Sequence, residues 1–197
     1  MAEDKRIART KTELRNAVLS LIRSEAFEKI SVKKICQTAN ISRLTFYAYY
    51  HDKYELVEDI FRDFRERVLD DSRRRDAINN PEGDLVKTSC NLLSAIIDCF
   101  YNNDPLIRAV NYESNPYVTF AFHIFVQNCA EQLIGDMLQN RDVRFPLKPS
   151  VAFVCNGLNA FLGEMYRANA PKEVVREKMT ELITRLLTED IFFDIRN

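Results

Sequence analysis

Glycine is scarce in this sequence. Its 197 residues include four Gly, six Pro, two His and no Trp. Glycine-rich phosphate loops and multi-turn β folds both spend glycine on positive-φ turns. The shortage argues against dinucleotide-binding folds, P-loop enzymes, sandwiches and propellers. Long apolar runs are also missing. The longest span a few residues, against about 20 for a membrane helix, so no membrane contact is expected. The opening MAEDKRIARTK has no apolar core, so no signal peptide is expected. The five cysteines (Cys36, Cys90, Cys99, Cys129, Cys155) are odd in number, and no two lie within four residues of each other. That pattern fits neither a disulfide framework nor a compact zinc knuckle. It suggests a reduced, cytoplasmic protein whose thiols act as small apolar side chains. Only His51 and His123 could serve as bases near neutral pH, and HExxH, GxSxG and CxxC motifs are absent. No catalytic residue, metal or cofactor is expected.

What is present is a helical pattern on an ordinary globular composition, 46% hydrophobic and 29% charged. The net charge of −1 is unevenly placed. Residues 1–53 hold 11 Lys and Arg against 6 Asp and Glu, while the rest of the chain is net acidic. A basic first quarter on an acidic body suggests one polyanion-binding module and one body that stays off the polyanion.

Apolar spacing predicts an all-α chain of about nine helices and no strand. The expected helices cover residues 10–26, 32–39, 43–50, 53–78, 84–101, 106–112, 115–139, 151–168 and 172–190. Thr10 or Thr12 could cap the first. Ser31, Ser42 and Asp52 are good N-caps for the next three, and Asn40 tolerates the left-handed turn that ends a helix. The expected division is a module over 1–53, a linking helix over 53–78 and a C-terminal body over 79–197.

Residues 31–50 read as helix, tight turn, helix. Ile35, Ala39, Ile41 and Phe46 would lock the pair together. The second helix is short enough to enter a DNA major groove and present Arg43, Leu44, Thr45, Tyr47, Ala48 and Tyr49. Each polar residue also has a plainer reading: the tyrosines as half-buried packing, Lys33 as a solvated face, Thr45 as bonded within its own helix.

The stretch SVKKICQTANISRLTFYAYYHDKYELV resembles the N-terminal domain of the tetracycline-repressor (TetR) family of bacterial transcriptional regulators. Ile41-Ser42, Thr45-Phe46-Tyr47, Tyr49-Tyr50, Asp52-Lys53 and Leu56 stand in the family's register, and about 50 residues carry the likeness. Two positions depart from it: Cys36 where Ala is usual, and Leu44 where Gly, Pro or Ala is common. The resemblance implies a ligand-responsive regulator that binds a palindromic double-stranded DNA operator as a homodimer, with repression the commoner mode. It implies a phosphate clamp at Ser31, hydroxyl donors to phosphate at Thr45 and Tyr47, and a phosphate-pairing ammonium at Lys53. Lys33 adds sequence-independent attraction. Arg43, Leu44 and Tyr49 would face bases, Arg43 through the O6/N7 edge of guanine.

In the C-terminal body, the resemblance implies a cavity for an unidentified small-molecule effector. Candidate lining residues are Phe100, Tyr101, Tyr112, Phe120, His123, Asn128 and Phe153, although aromatics at helical spacing more often form a core. The last two helices suggest a dimer surface. Gly157, Ala160 and Gly163 allow close backbone approach, and Val175, Met179, Leu182 and Leu186 form an apolar stripe. Two other readings stay open: a helical co-regulator acting through a protein partner, and a small-molecule carrier.

Overall fold

The computed structural model describes residues 2–102, 104–110, 115–137 and 145–189. Among the described residues there are nine α-helices, one 3₁₀ turn and no strand. The helices are α1 (Ala2–Ile22), α2 (Val32–Ala39), α3 (Arg43–Tyr47), α4 (Lys53–Asn79), α5 (Leu85–Tyr101), α6 (Pro105–Val110), α7 (Pro116–Met137), α8 (Leu147–Arg167) and α9 (Lys172–Thr188), with the 3₁₀ turn at Phe27–Lys29. They form two compact units. One comprises residues 1–65 and 103–122, the other residues 66–102 and 123–197. The boundary between the units falls within α4, inside the linking helix expected over 53–78. The described residues 104–110 and 115–122, which the sequence places in the C-terminal body, group with the first unit.

In the first unit α1 packs on α2 and α6. Leu14, Val18, Ile22, Phe27, Ile35, Phe46 and Leu56 supply its fully buried core. Asn115 ties the start of α7 to this unit. Its side chain is completely buried, its Oδ1 accepts from the Phe27 amide at 2.7 Å, and its Nδ2 donates to the carbonyls of Ile22 and Glu25. One amide thus satisfies backbone groups left over where α1 stops. That long-range bond also accounts for α1 ending at Ile22 and not at Ala26. At the other end, α1 begins eight residues before Thr10. Residues 2–9 include Ala, Glu, Lys and Arg, all good helix formers. The Thr12 hydroxyl caps nothing; it donates back to the Ala8 carbonyl at 2.9 Å.

The second unit is built on α5 packed along α9, with α8 also against α9. Ile97, Val151, Leu162, Val175 and Met179 are almost fully buried. Asn80 shapes the corner between α4 and α5. Its amide nitrogen donates to the Asp84 carbonyl and the Asp76 and Thr88 side chains, while its oxygen accepts from the Asp84 amide. Asp84 then caps α5 by accepting from the Lys87 amide at 2.8 Å. Helix α8 starts four residues earlier than expected, at Leu147. Pro149 falls in its first turn, where an amide hydrogen has no helical partner to lose.

Candidate nucleic-acid interface

Helices α2 and α3 are held by local chemistry. The Ser31 hydroxyl accepts from the Lys34 amide at 3.2 Å and caps α2. Asn40 closes α2 in the left-handed conformation, φ 54° and ψ 43°. The Ser42 hydroxyl then accepts from the Thr45 amide at 3.0 Å and caps α3. Ile35 and Phe46 are fully buried between the helices and the rest of the unit. Cys36 is buried beside them. Burial pushes its thiol pKa up, and the charge of Arg43 offsets that in part.

Helix α3 is only five residues long, shorter than expected, yet its two faces are cleanly separated. Phe46 points inward and packs edge-on against Tyr47, with ring centroids 5.4 Å apart. Arg43, Leu44, Tyr47 and Ala48 form the exposed face. Leu44 is 85% exposed and Tyr47 49%. Among the described residues, no protein hydrogen bond or ion pair engages the Arg43 guanidinium, the Tyr47 hydroxyl or the Lys33 ammonium. Thr45 is half-buried and its hydroxyl bonds to that of Ser42 at 2.8 Å. Tyr49 is half-buried. Lys34, next to Lys33, is tied to Glu25 at 2.5 Å.

Lys53 is engaged within the protein. Its ammonium donates to the carbonyls of Phe27 (2.7 Å), Ile30 (2.9 Å) and Glu28 (3.0 Å), which occupies all three of its hydrogens. It also lies 4.5 Å from the Phe27 ring centroid. Burial lowers its pKa, against an opposing pull from Glu28. A phosphate could be reached only at the expense of one of these bonds. In this structure Lys53 secures the start of α4 to the 3₁₀ turn.

A second anchor, not anticipated from sequence, holds the end of the helix-turn-helix. The Tyr50 hydroxyl donates to Asp59 at 2.7 Å, and Arg15 Nε donates to the same carboxylate oxygen at 2.8 Å. Arg15 also reaches Asp63 at 2.5 Å. Burial alone would raise the Asp59 pKa, but hydrogen bonds from Arg15 and Tyr50 outweigh it and hold the carboxyl below its ordinary range. Arg15, Asp59 and Asp63 sit on helical faces that also carry apolar residues, so spacing alone gave no sign that they meet.

The C-terminal candidates divide between packed and exposed positions. Phe100 is buried with its ring on Tyr166, and Tyr101 packs on the same Tyr166 and donates to the Ala170 carbonyl at 2.7 Å. His123 is bonded to Asn159 at 3.0 Å, and burial lowers its pKa. These three side chains serve the packing of the second unit. Phe120 and Phe153 are 67% and 66% exposed, Asn128 is exposed, and Tyr112 lies outside the described residues. On the expected dimer surface, Val175 and Met179 are fully buried inside the unit because α9 turns that stripe toward α5. Leu182, Leu186 and Gly163 are half-buried; Gly157 and Ala160 are exposed.

Among the described residues, no group of His, Cys, Asp and Glu could hold a metal ion. No described helix is long and apolar enough to cross a membrane.

This arrangement defines an all-α protein with an N-terminal helix-turn-helix unit, and known proteins share it. Solved structures place the chain in the fold of TetR-family transcriptional regulators. A candidate TetR-family regulator of Syntrophomonas wolfei superposes with a TM-score of 0.66 at 14% identity, over 95% of this chain and 98% of that one. The dihydroxyacetone kinase operon activator DhaS superposes with a TM-score of 0.52 at 22% identity, over 94% and 98%. In sequence, the chain is 42% identical over 64 residues to DhaS of Lactococcus lactis, the transcriptional activator of the dhaKLM operon. It is 33% identical over 54 residues to the uncharacterized HTH-type regulator YxbF of Bacillus subtilis. The two matches cover 32% and 27% of this chain, but only 34% and 14% of those relatives' own lengths. No protein-family model matches the chain.

Proposed function

We propose that this chain is a DNA-binding transcriptional regulator that reads a palindromic operator as a homodimer. The observation that carries the reading is the exposed face of α3. Arg43 and Tyr47 there hold unused donors on a helix whose caps and core contacts are complete. A twofold dimer would set two such helices about one DNA turn apart, roughly 34 Å. The fold and the regulators named above support this reading, and with it a cytoplasmic, non-enzymatic role and a small-molecule effector acting through the C-terminal body. A ligand that favours one arrangement of the two reading heads would shift operator occupancy. The sign of control is read from a reporter: deletion of the gene raises expression from a repressed promoter and lowers it from an activated one.

The test is fluorescence anisotropy of the purified full chain on DNA from upstream of its gene, across salt, with a scrambled competitor. Sequence-selective binding with a steep salt slope is the expected result. Weak binding that ignores sequence at every salt concentration would overturn it. One observation favours a second reading, a co-regulator working through a protein partner: Lys53, a member of the implied phosphate-contact set, is occupied by backbone carbonyls. In that case the chain would bind no DNA but would co-purify with a defined protein.

A further inference from the structure

We propose that Leu44 reads a thymine 5-methyl group in the operator, which makes it the side chain that sets this chain's base preference apart. The inference rests on the DNA-binding reading above. Leu44 is 85% exposed, the most exposed of the large apolar side chains on the described surface. It occupies the second position of α3, beside Arg43 and one turn before Ala48. On a helix, positions 44 and 48 share one face, and positions 43 and 47 the adjoining one. The exposed surface of α3 is therefore split: an apolar strip of Leu44 and Ala48 next to a polar strip of Arg43 and Tyr47.

That split matches the edge chemistry of the major groove. Thymine alone projects a methyl group there, beside the acceptors that Arg recognises on guanine. An apolar strip two residues long is too small to found a protein–protein interface, which needs a broad buried centre. It is the right size to cover one methyl group. The neighbouring free cations Arg43 and Lys33 favour a polyanion over an apolar protein surface as occupant. Leu44 also contributes nothing to the core of the unit, so its bulk is not explained by packing.

The experiment begins with a random-sequence double-stranded DNA library selected on the full-length protein. The recovered duplex is then resynthesised with deoxyuridine for thymidine, one symmetric pair of positions at a time. Deoxyuridine keeps every hydrogen bond and removes only the methyl. We expect one pair at which the substitution weakens binding about fourfold per methyl, the loss of one buried methyl-sized group. The Leu44→Ala protein should bind the thymidine and deoxyuridine duplexes equally at that pair. Leu44 is exposed, so the variant is expected to keep the wild-type circular dichroism and melting temperature. Leu44→Met, which keeps an apolar side chain of similar reach, should retain sensitivity to the methyl. Equal binding of both duplexes by the wild type at every pair would overturn the inference and leave the DNA-binding reading standing. Methyl sensitivity that persists undiminished in Leu44→Ala would overturn it by moving the contact to another residue. Failure to enrich any sequence would overturn both readings together.

Discussion

The Lys53 ammonium lies 2.7 Å from the Phe27 carbonyl oxygen, across 26 residues of chain, and it closes the turn that leads into α2. It does so with two further carbonyls and the Phe27 ring. That ring is itself stacked on Tyr117 at 5.6 Å and meets Tyr54 edge-on at 5.3 Å. The position that the resemblance would give to phosphate makes these contacts within the protein, and a clasp and a phosphate contact predict different measurements. Lys53→Ala strands three carbonyls, some of them partly buried, and should cost about 1–3 kcal/mol of stability in urea unfolding. A phosphate contact would instead leave stability nearly unchanged and flatten the plot of log affinity against log salt by about one unit. We expect the stability loss with an unchanged slope.

Asp59 and Asp98 make the fold sensitive to acid. Asp98 accepts from Arg176 at 2.9 Å and also pairs with Arg75 and Lys172, which joins α4, α5 and α9. As at Asp59, burial opposes ionisation, but the cationic donors outweigh it and the carboxyl titrates below its usual value. A carboxyl with a lower pKa folded than unfolded contributes stability that is fully present above its unfolded value, about 3.9. That contribution is lost as pH falls through the folded value. Stability should therefore hold near neutral pH and decline below about pH 4. Asp59→Asn and Asp98→Asn should each be less stable at pH 7 and show a shallower decline in acid. Urea midpoints at pH 7 and at pH 3 to 4 check both statements. An acid decline as steep as that of the wild type would show that neither pair carries it.

The reading segment was legible because its punctuation is local. Ser31, Asn40 and Ser42 each act within three or four residues, so the extent of α2 and the start of α3 follow from neighbours in sequence. The end of α1 was not legible, because its stop is supplied by Asn115, and the turn after it is held by Lys53. Both are long-range polar bonds that leave no periodic trace. The same limit applies to residues 104–110 and 115–122, which group with the first unit. Val175 and Met179 show the other kind of gap. An apolar stripe declares that it will be buried, but not whether it faces the same chain or a second copy.

That distinction gives a paired prediction for self-association. With Val175 and Met179 turned inward, the homodimer proposed above would have to use other surface, and α8 offers an exposed stretch at Gly157 and Ala160. A Cβ added at Gly157 meets nothing within 4 Å. Gly157→Arg should therefore fold normally but place bulk and charge at the contact. If the proposed dimer forms through this stretch, size-exclusion chromatography with light scattering should show a dimer for the wild type and a monomer for Gly157→Arg. Met179→Ala should do the reverse, keeping the dimer while losing about 2–5 kcal/mol of stability to a core cavity. A dimeric Gly157→Arg protein would place the association surface elsewhere.

Arg43 and Lys33 carry the last distinction. Both are exposed with free donors, but they stand on different helices: Arg43 opens α3, and Lys33 lies in the first turn of α2. Sequence is read by planar forks at base edges, and register is held by charge at phosphates. Arg43→Ala should cost about 1–3 kcal/mol on the selected duplex and much less on a scrambled one, so the ratio of the two affinities collapses. Lys33→Ala should weaken both duplexes alike and reduce the salt slope by about one unit, leaving the ratio intact. Anisotropy titrations of both variants on both duplexes at several salt concentrations separate the two cases. If Arg43→Ala lowered both affinities equally, Arg43 would be holding phosphate, and base reading would fall to the remaining exposed face of α3.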